Sequence, residues 1–128
     1  MGLLLDTHAL LWWWTDDANL PASARRMILD ESNEILVSAA SAWEIATKAR
    51  LGKLTGVPGV LDRFSQLITA DGFSPLPVTH VHALRAGSYD QTHRDPFDRM
   101  LAAQSELEAV PLLTRDPAFR QFSIETAW

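Results

Sequence analysis

The chain contains no cysteine. Disulfides, thiolate metal centres and thiol nucleophiles are therefore excluded, and stability has to come from side-chain packing. No stretch of its 128 residues approaches the ~20 apolar residues that span a bilayer. The opening run Met1-Gly2-Leu3-Leu4-Leu5-Asp6 has no basic flank and is too short for a signal peptide. The expectation is a soluble, cytoplasmic protein without membrane association. An excess of positive charge is also missing: eleven Lys and Arg stand against sixteen Asp and Glu, a formal charge of −5. Passive nucleic-acid binders are ordinarily basic. The deficit takes another meaning if several acids gather to hold divalent cations, because the remaining surface is then close to neutral. Composition does not choose between these readings; position does.

What is present suits one compact unit. At 47% hydrophobic and 21% charged residues, the chain has the balance of a globular protein and the length of a single domain, residues 1–128. Gly2–Leu5 reads as a buried strand that stops at Asp6, followed by a helix over Thr7–Trp14. Pro21 opens a helix over Ala22–Asp30. A strand at Glu34–Ser38 precedes a helix from Ala40 to Arg50, with Gly52 as its stop. Gly56, Pro58 and Gly59 mark a loop, and Val60–Ala70 has helical spacing, with Leu61, Phe64, Leu67 and Ile68 as a core stripe. A strand over Phe73–Leu76 and a helix over Thr79–Gly87 follow; His80 and His82 are read as surface or helix-start residues. Asp95-Pro96 opens a helix to Glu108, with an acidic cap before a proline. Pro111–Leu113 reads as a strand, Asp116-Pro117 as the start of a short helix or turn, and Phe122–Ile124 as an edge strand. Strands alternating with helices predict an α/β domain of three layers around a parallel sheet.

Parallel sheets gather ligands at the carboxyl ends of their strands. Asp6 follows the first strand directly, and Asp116 follows the Leu112-Leu113 strand closely. Glu44 lies one turn into the helix after the second strand, and Asp95 and Asp98 share the first turn of a later one. Four separate segments thus offer carboxylates to one edge. Clustered carboxylates repel, and Mg²⁺ or Mn²⁺, which prefer oxygen ligands, would compensate them. Such ions acidify bound water and stabilise charge on a phosphate. Each acid also has a plainer reading. Asp95 suffices as a helix cap, Asp98 as a partner of the helix dipole, and Asp116 as a turn former. Glu44 between Trp43 and Ile45, and Asp6 after a buried strand, are harder to read that way.

The segment Leu4-Leu5-Asp6-Thr7-His8 resembles the opening motif of PIN domains, and Val37-Ser38-Ala39-Ala40-Ser41-Ala42-Trp43-Glu44-Ile45 resembles their second. His93-Arg94-Asp95-Pro96-Phe97-Asp98-Arg99-Met100-Leu101-Ala102-Ala103-Gln104 is similar to the signature of one VapC-like subgroup, and Leu112-Leu113-Thr114-Arg115-Asp116 to the last motif. The resemblance implies a PIN-like three-layer α/β/α fold with four or five parallel strands, Mg²⁺ or Mn²⁺, and endonucleolytic cleavage of RNA as the toxin of a toxin–antitoxin pair. It also implies a homodimer and a cognate antitoxin whose C-terminal segment blocks the site. By position the acids are Asp6, Glu44, Asp98 and Asp116, with Asp95 the extra acid of the subgroup. Asp6 and Asp98 are expected to ligate a first ion directly, with Glu44 and Asp116 binding through water or holding a second. That route yields 5′-phosphate and 3′-hydroxyl ends.

Arg94, Arg99 and Arg115 can touch RNA phosphates, Arg94 and Arg115 equally serving as ion-pair partners within the site. Thr7 and Thr114 can bond to an acid, to metal-bound water or to a local cap. His93 can position substrate, and without a second His at ligand spacing it does not suggest zinc. Three consecutive tryptophans, Trp12, Trp13 and Trp14, cannot share one helical face, so one is expected at a subunit or antitoxin contact or against a base. Rival families fit poorly. A haloacid-dehalogenase-type phosphatase needs an aspartate where His8 stands, and a receiver domain needs a late lysine, whereas the only lysines are Lys48 and Lys53. A non-catalytic metal- or RNA-binding partner module on the PIN fold is the alternative from a different functional class.

Overall fold

A computed structural model describes residues 1–54 and 59–128. The expected loop residues Gly56 and Pro58 lie outside the described residues. Five strands form one parallel sheet: β1 (Gly2–Leu5), β2 (Glu34–Ser38), β3 (Ser74–Leu76), β4 (Leu112–Leu113) and β5 (Thr126–Ala127), in the order β3-β2-β1-β4-β5. Leu3 pairs with Ile35 and Leu5 with Leu113, so β1 is the central strand. The chain builds outward from β1 to β3, then returns to add β4 and β5 on the other flank. The order therefore reverses between β1 and β4, the switch point at which a crevice opens beyond the strand ends.

The apolar run of β1 is explained by burial on both faces. Leu3 and Leu5 point into one core with Ile35, Val37 and Leu113. That face is covered by α1 (Thr7–Trp14), α2 (Ala22–Leu29), α3 (Ala39–Arg50) and α4 (Phe64–Ala70), through Leu10, Ala24, Ile45 and Ile68. Leu4, Leu36 and Leu112 point the other way, toward α5 (His80–Ser88) and α6 (Pro96–Glu108), where Ala86 and Leu101 to Ala103 meet them. This is the three-layer α/β/α arrangement. No helix among the described residues is long and apolar enough to cross a membrane.

Two boundaries depart from the sequence pattern. The helical spacing from Val60 holds as helix only from Phe64; residues 59–63 form turns, with the Arg63 N–H donating to the Gly59 carbonyl. The edge strand lies at Thr126–Ala127 rather than Phe122–Ile124. Phe122 is buried against Tyr89, ring centroids 4.8 Å apart, so its apolar character serves core packing and the chain pairs with β4 only beyond it.

At the end of α6, Ala109 adopts φ 53°, the left-handed region, and its N–H donates to the Glu106 carbonyl. That conformation costs a residue with a Cβ about 1–2 kcal/mol. Part of the relief offered by glycine is offset by its greater freedom in the unfolded chain. An Ala109→Gly variant is accordingly expected to be more stable by about 0.5–1 kcal/mol, read as a rise in thermal midpoint of about 2–4 °C.

Candidate active site at the sheet switch point

Asp6 stands at the N-cap of α1, yet its side chain caps nothing there. It is 5% exposed, and its Oδ2 accepts a 2.7 Å hydrogen bond from Thr114 Oγ1, on the segment leaving β4. The pair bridges the segments that leave β1 and β4. Burial pushes the Asp6 carboxyl above the ordinary range, the Thr114 bond pulls it back, and the charge of Glu44 pushes it up again.

Glu44 reaches the same edge from α3, which Ser38 caps by accepting from the Ala40 N–H at 3.0 Å. One turn before it, Ser41 Oγ lies 2.9 Å from Thr7 Oγ1, pinning α3 to α1. Glu44 is 2% exposed. Its Oε2 pairs with the Lys48 ammonium one turn on, while Oε1 is buried with no hydrogen-bond partner.

Asp98, in the first turn of α6, bonds through Oδ2 to His93 Nε2 at 2.8 Å. Burial, followed by the charges of Asp95, Asp6 and Glu44, pushes its carboxyl up to about 7 against the lowering effect of His93. Asp95 is the helix cap, its Oδ1 accepting from the Phe97 and Asp98 N–H groups at 2.9 and 3.3 Å. The charge of this capping carboxylate is also felt by Asp98 and by Lys48. Lys48 is lowered by burial, but its bond to Glu44 and the charges of Glu44, Asp95 and Asp98 outweigh this and hold it above its ordinary value.

Asp116 is exposed and caps the 3-10 turn Pro117–Gln121 through the Ala118 N–H at 2.9 Å. It lines a cleft of about 320 Å³ together with Asp6, His8, Trp12, Arg115 and Trp128. Of the five acids singled out from the sequence, Asp6, Glu44 and Asp98 lie within one another's fields, Asp95 caps the helix that carries Asp98, and Asp116 shares a cleft with Asp6.

This donor set suits a hard divalent ion. It is all oxygen, carries excess negative charge in a poorly solvated place, and includes a buried Glu44 oxygen with nothing to bond. As the side chains stand, no three acids or histidines among the described residues are grouped closely enough to cage one. The site is an open edge of carboxylates.

Several expected roles change. Arg99 does not reach for substrate: its guanidinium donates to the carbonyls of Ala86, Tyr89, Gln91 and His93 at 2.8–3.1 Å. These bonds hold the loop that delivers His93 to Asp98. Arg94 and Arg115 are exposed, and among the described residues neither forms an ion pair within the site. Arg115 lies over the Trp12 ring at 4.4 Å and donates to Asn19 Oδ1 at 3.1 Å. Thr7 bonds Ser41, not an acid, whereas Thr114 bonds Asp6 and also accepts from the Asp116 N–H at 3.1 Å.

None of the three tryptophans is left exposed, since Phe73 and Phe64 cover Trp13 and Trp14 and both indole N–H groups donate to Asp71 Oδ2. His82 is buried, completing a capping box with Thr79. Lys48 and Ser41 join the site although the sequence pattern does not single them out. The spacing of Lys48, four residues after Glu44, was the available signal.

Raised carboxyl values have a definite consequence for stability. Asp98 ionises near 3.8 when unfolded and near 7 when folded. Between those values the unfolded chain has lost a proton that the folded chain keeps, so stability falls as pH rises through the window. Asp6 acts in the same direction. Metal-free protein in EDTA should thus resist denaturant better at about pH 5 than at about pH 8. An Asp98→Asn variant should show a flatter profile, checked by urea titration at both values.

Comparison with known proteins agrees with this architecture. The family model described as PIN domain matches residues 3–125. Over 58 residues the chain is 45% identical to Ribonuclease VapC16 of Mycobacterium tuberculosis, an alignment covering 45% of this chain and 41% of that protein, well under half its length. Among solved structures, VapBC2 from Rickettsia felis bound to a promoter DNA fragment superposes with TM-score 0.72 at 14% identity, covering 100% of this chain and 99% of that one. FitAcB from Neisseria gonorrhoeae gives 0.61 at 20% identity, covering 97% and 95%. The two structures share the fold, the family model accounts for nearly the whole sequence, and the chain belongs to the PIN-domain family.

Proposed function

We propose that the chain is an endoribonuclease dependent on Mg²⁺ or Mn²⁺, acting in the cytoplasm as the toxin of a toxin–antitoxin pair. One observation carries this reading: the buried carboxylates of Asp6 and Glu44 and the half-buried one of Asp98 share one field at the sheet switch point, beside a cleft lined by Asp116 and Arg115. The similarity to a protein named as a ribonuclease, and to toxin–antitoxin complexes in fold, supports it.

Asp6, Glu44 and Asp98 would hold the ion, with Asp116 at the rim and Asp95 fixing the start of the helix that carries Asp98. A bound divalent ion supplies an acidified water and charge stabilisation on a phosphate under in-line attack. The chain's own groups set the stage. Thr114 Oγ1 holds the Asp6 carboxylate in one orientation, and His93 Nε2 does the same for Asp98. Arg115, over Trp12, offers its guanidinium at the cleft wall to an RNA phosphate, and the exposed Arg94 adds a second cation near Asp95. Trp12 and Trp128, edge to face at 5.9 Å, give that cleft an apolar side. Partners of the proposed assembly are a second copy and an antitoxin whose bound segment would cover the carboxylate edge.

Incubating the protein with total RNA and Mg²⁺ should yield fragments bearing 5′-phosphate and 3′-hydroxyl ends, and EDTA should stop the reaction. An Asp6→Asn variant is expected to cut slower by about a hundredfold to a thousandfold. Cyclic 2′,3′-phosphate ends, or undiminished cutting in EDTA, would contradict the proposal.

A further inference from the structure

Lys48 stands against the acids of this edge without itself holding an ion or RNA. Glutamate and lysine four residues apart on an exposed helix form a weak pair. This pair is not of that kind. The Glu44 side chain is 3% exposed and that of Lys48 28%, so the ammonium is brought down onto a carboxylate almost removed from water. It occupies Oε2 alone and leaves Oε1 buried and unpartnered. The other ion pair at these acids, among the described residues, is His93 on Asp98, through an imidazole that can be neutral. Lys48 is thus the cation bonded to the buried carboxylate of this edge, whereas Arg94 and Arg115 are exposed and, among the described residues, pair with none of these acids.

From this contact and the burial of Glu44, we infer that Lys48 takes the place of a second divalent ion, so that the centre binds one ion per chain. The inference rests on the nuclease reading above. The ammonium already balances one of the negative charges that Asp6, Glu44, Asp95 and Asp98 gather there, so a second divalent ion beside Glu44 would have to displace it. The unoccupied Oε1 is the Glu44 atom free for the first ion, and the bond at Oε2 makes its ligation one-oxygen rather than two. Beyond Glu44, the Lys48 ammonium also feels the charges of Asp95 and Asp98 at the start of α6. Lys48 is in this sense a positioning residue: it acts through Glu44 and through the number of ions admitted.

The test counts ions rather than cleavage. Protein is titrated with Mn²⁺ alone, and free Mn²⁺ is read by electron paramagnetic resonance. Wild type should bind one ion per chain. Lys48→Arg, which keeps the charge, should also bind one, and Lys48→Met should bind two, the second more weakly. Removing one partner of a buried pair can destabilise a fold. Circular dichroism and a melt are therefore run on each variant, and Lys48→Gln serves in place of Lys48→Met if the latter does not fold. In the folded neutral variant, the dependence of RNA cleavage on Mg²⁺ should steepen from first toward second order. Two ions in wild type, or one in the neutral variant, would overturn the inference while leaving the nuclease reading intact. A wild-type chain that takes up no Mn²⁺, or whose uptake survives Asp6→Asn, would overturn that reading and this inference with it.

Discussion

Burial of like charge at the end of the central strand is the constraint on which the rest of this site depends. A carboxylate at Asp6 is forced out of water because β1 is covered on both faces and the helix after it begins at once. Glu44 and Asp98 are brought beside it by α3 and α6, and each raises the electrostatic cost of the others. Every neighbouring polar group answers to that arrangement. Thr114 donates to Asp6, His93 bonds Asp98, Lys48 covers one oxygen of Glu44, and Arg99 ties down the loop that presents His93. A chain that needed only to fold would place apolar residues here, since well-packed hydrophobic groups match or exceed buried ionic ones in stability.

The path from sequence to fold was clearest where periodicity and caps agreed. The β1 run, the alternation of strands and helices, and the helix opened by Asp95-Pro96 were all readable, because each follows from burial or backbone chemistry local to the segment. The position of β5 was not, because Phe122 satisfies a strand pattern and a core position equally well. Only the tertiary neighbour, Tyr89, decides between them. The tryptophans illustrate the same limit. Helical geometry spreads three consecutive side chains over more than one face, but it does not say that Asp71, Phe64 and Phe73 will arrive to cover two of them.

Site residues divide along similar lines. The acids were legible because strand ends and first helical turns are where α/β sheets present ligands. The role of Arg99 was not, because an arginine looks the same whether it serves a phosphate or four backbone carbonyls. Arg99 satisfies the carbonyls of a loop that would otherwise have to be hydrated, and this explains its neighbourhood to Asp98 without any contact to substrate. Lys48 escaped for the opposite reason: its spacing from Glu44 reads as an ordinary surface pair until the burial of the glutamate is known.

These compensations are incomplete, and the shortfall has a direction. Hydrogen bonds from Thr114 and His93 lower their carboxyls but do not restore them to ordinary values, and Glu44 keeps one oxygen without a partner. A site left short of positive charge in its own fold will bind whatever supplies it, and the ligand that does so stabilises the folded chain in proportion to its occupancy. Folding and ion capture are then two views of one free energy. The residues that make the empty site unfavourable are those that would make the loaded one selective for hard, doubly charged ions. At this sheet edge the unfavourable burial of carboxylates and the proposed capture of a divalent ion have the same physical source.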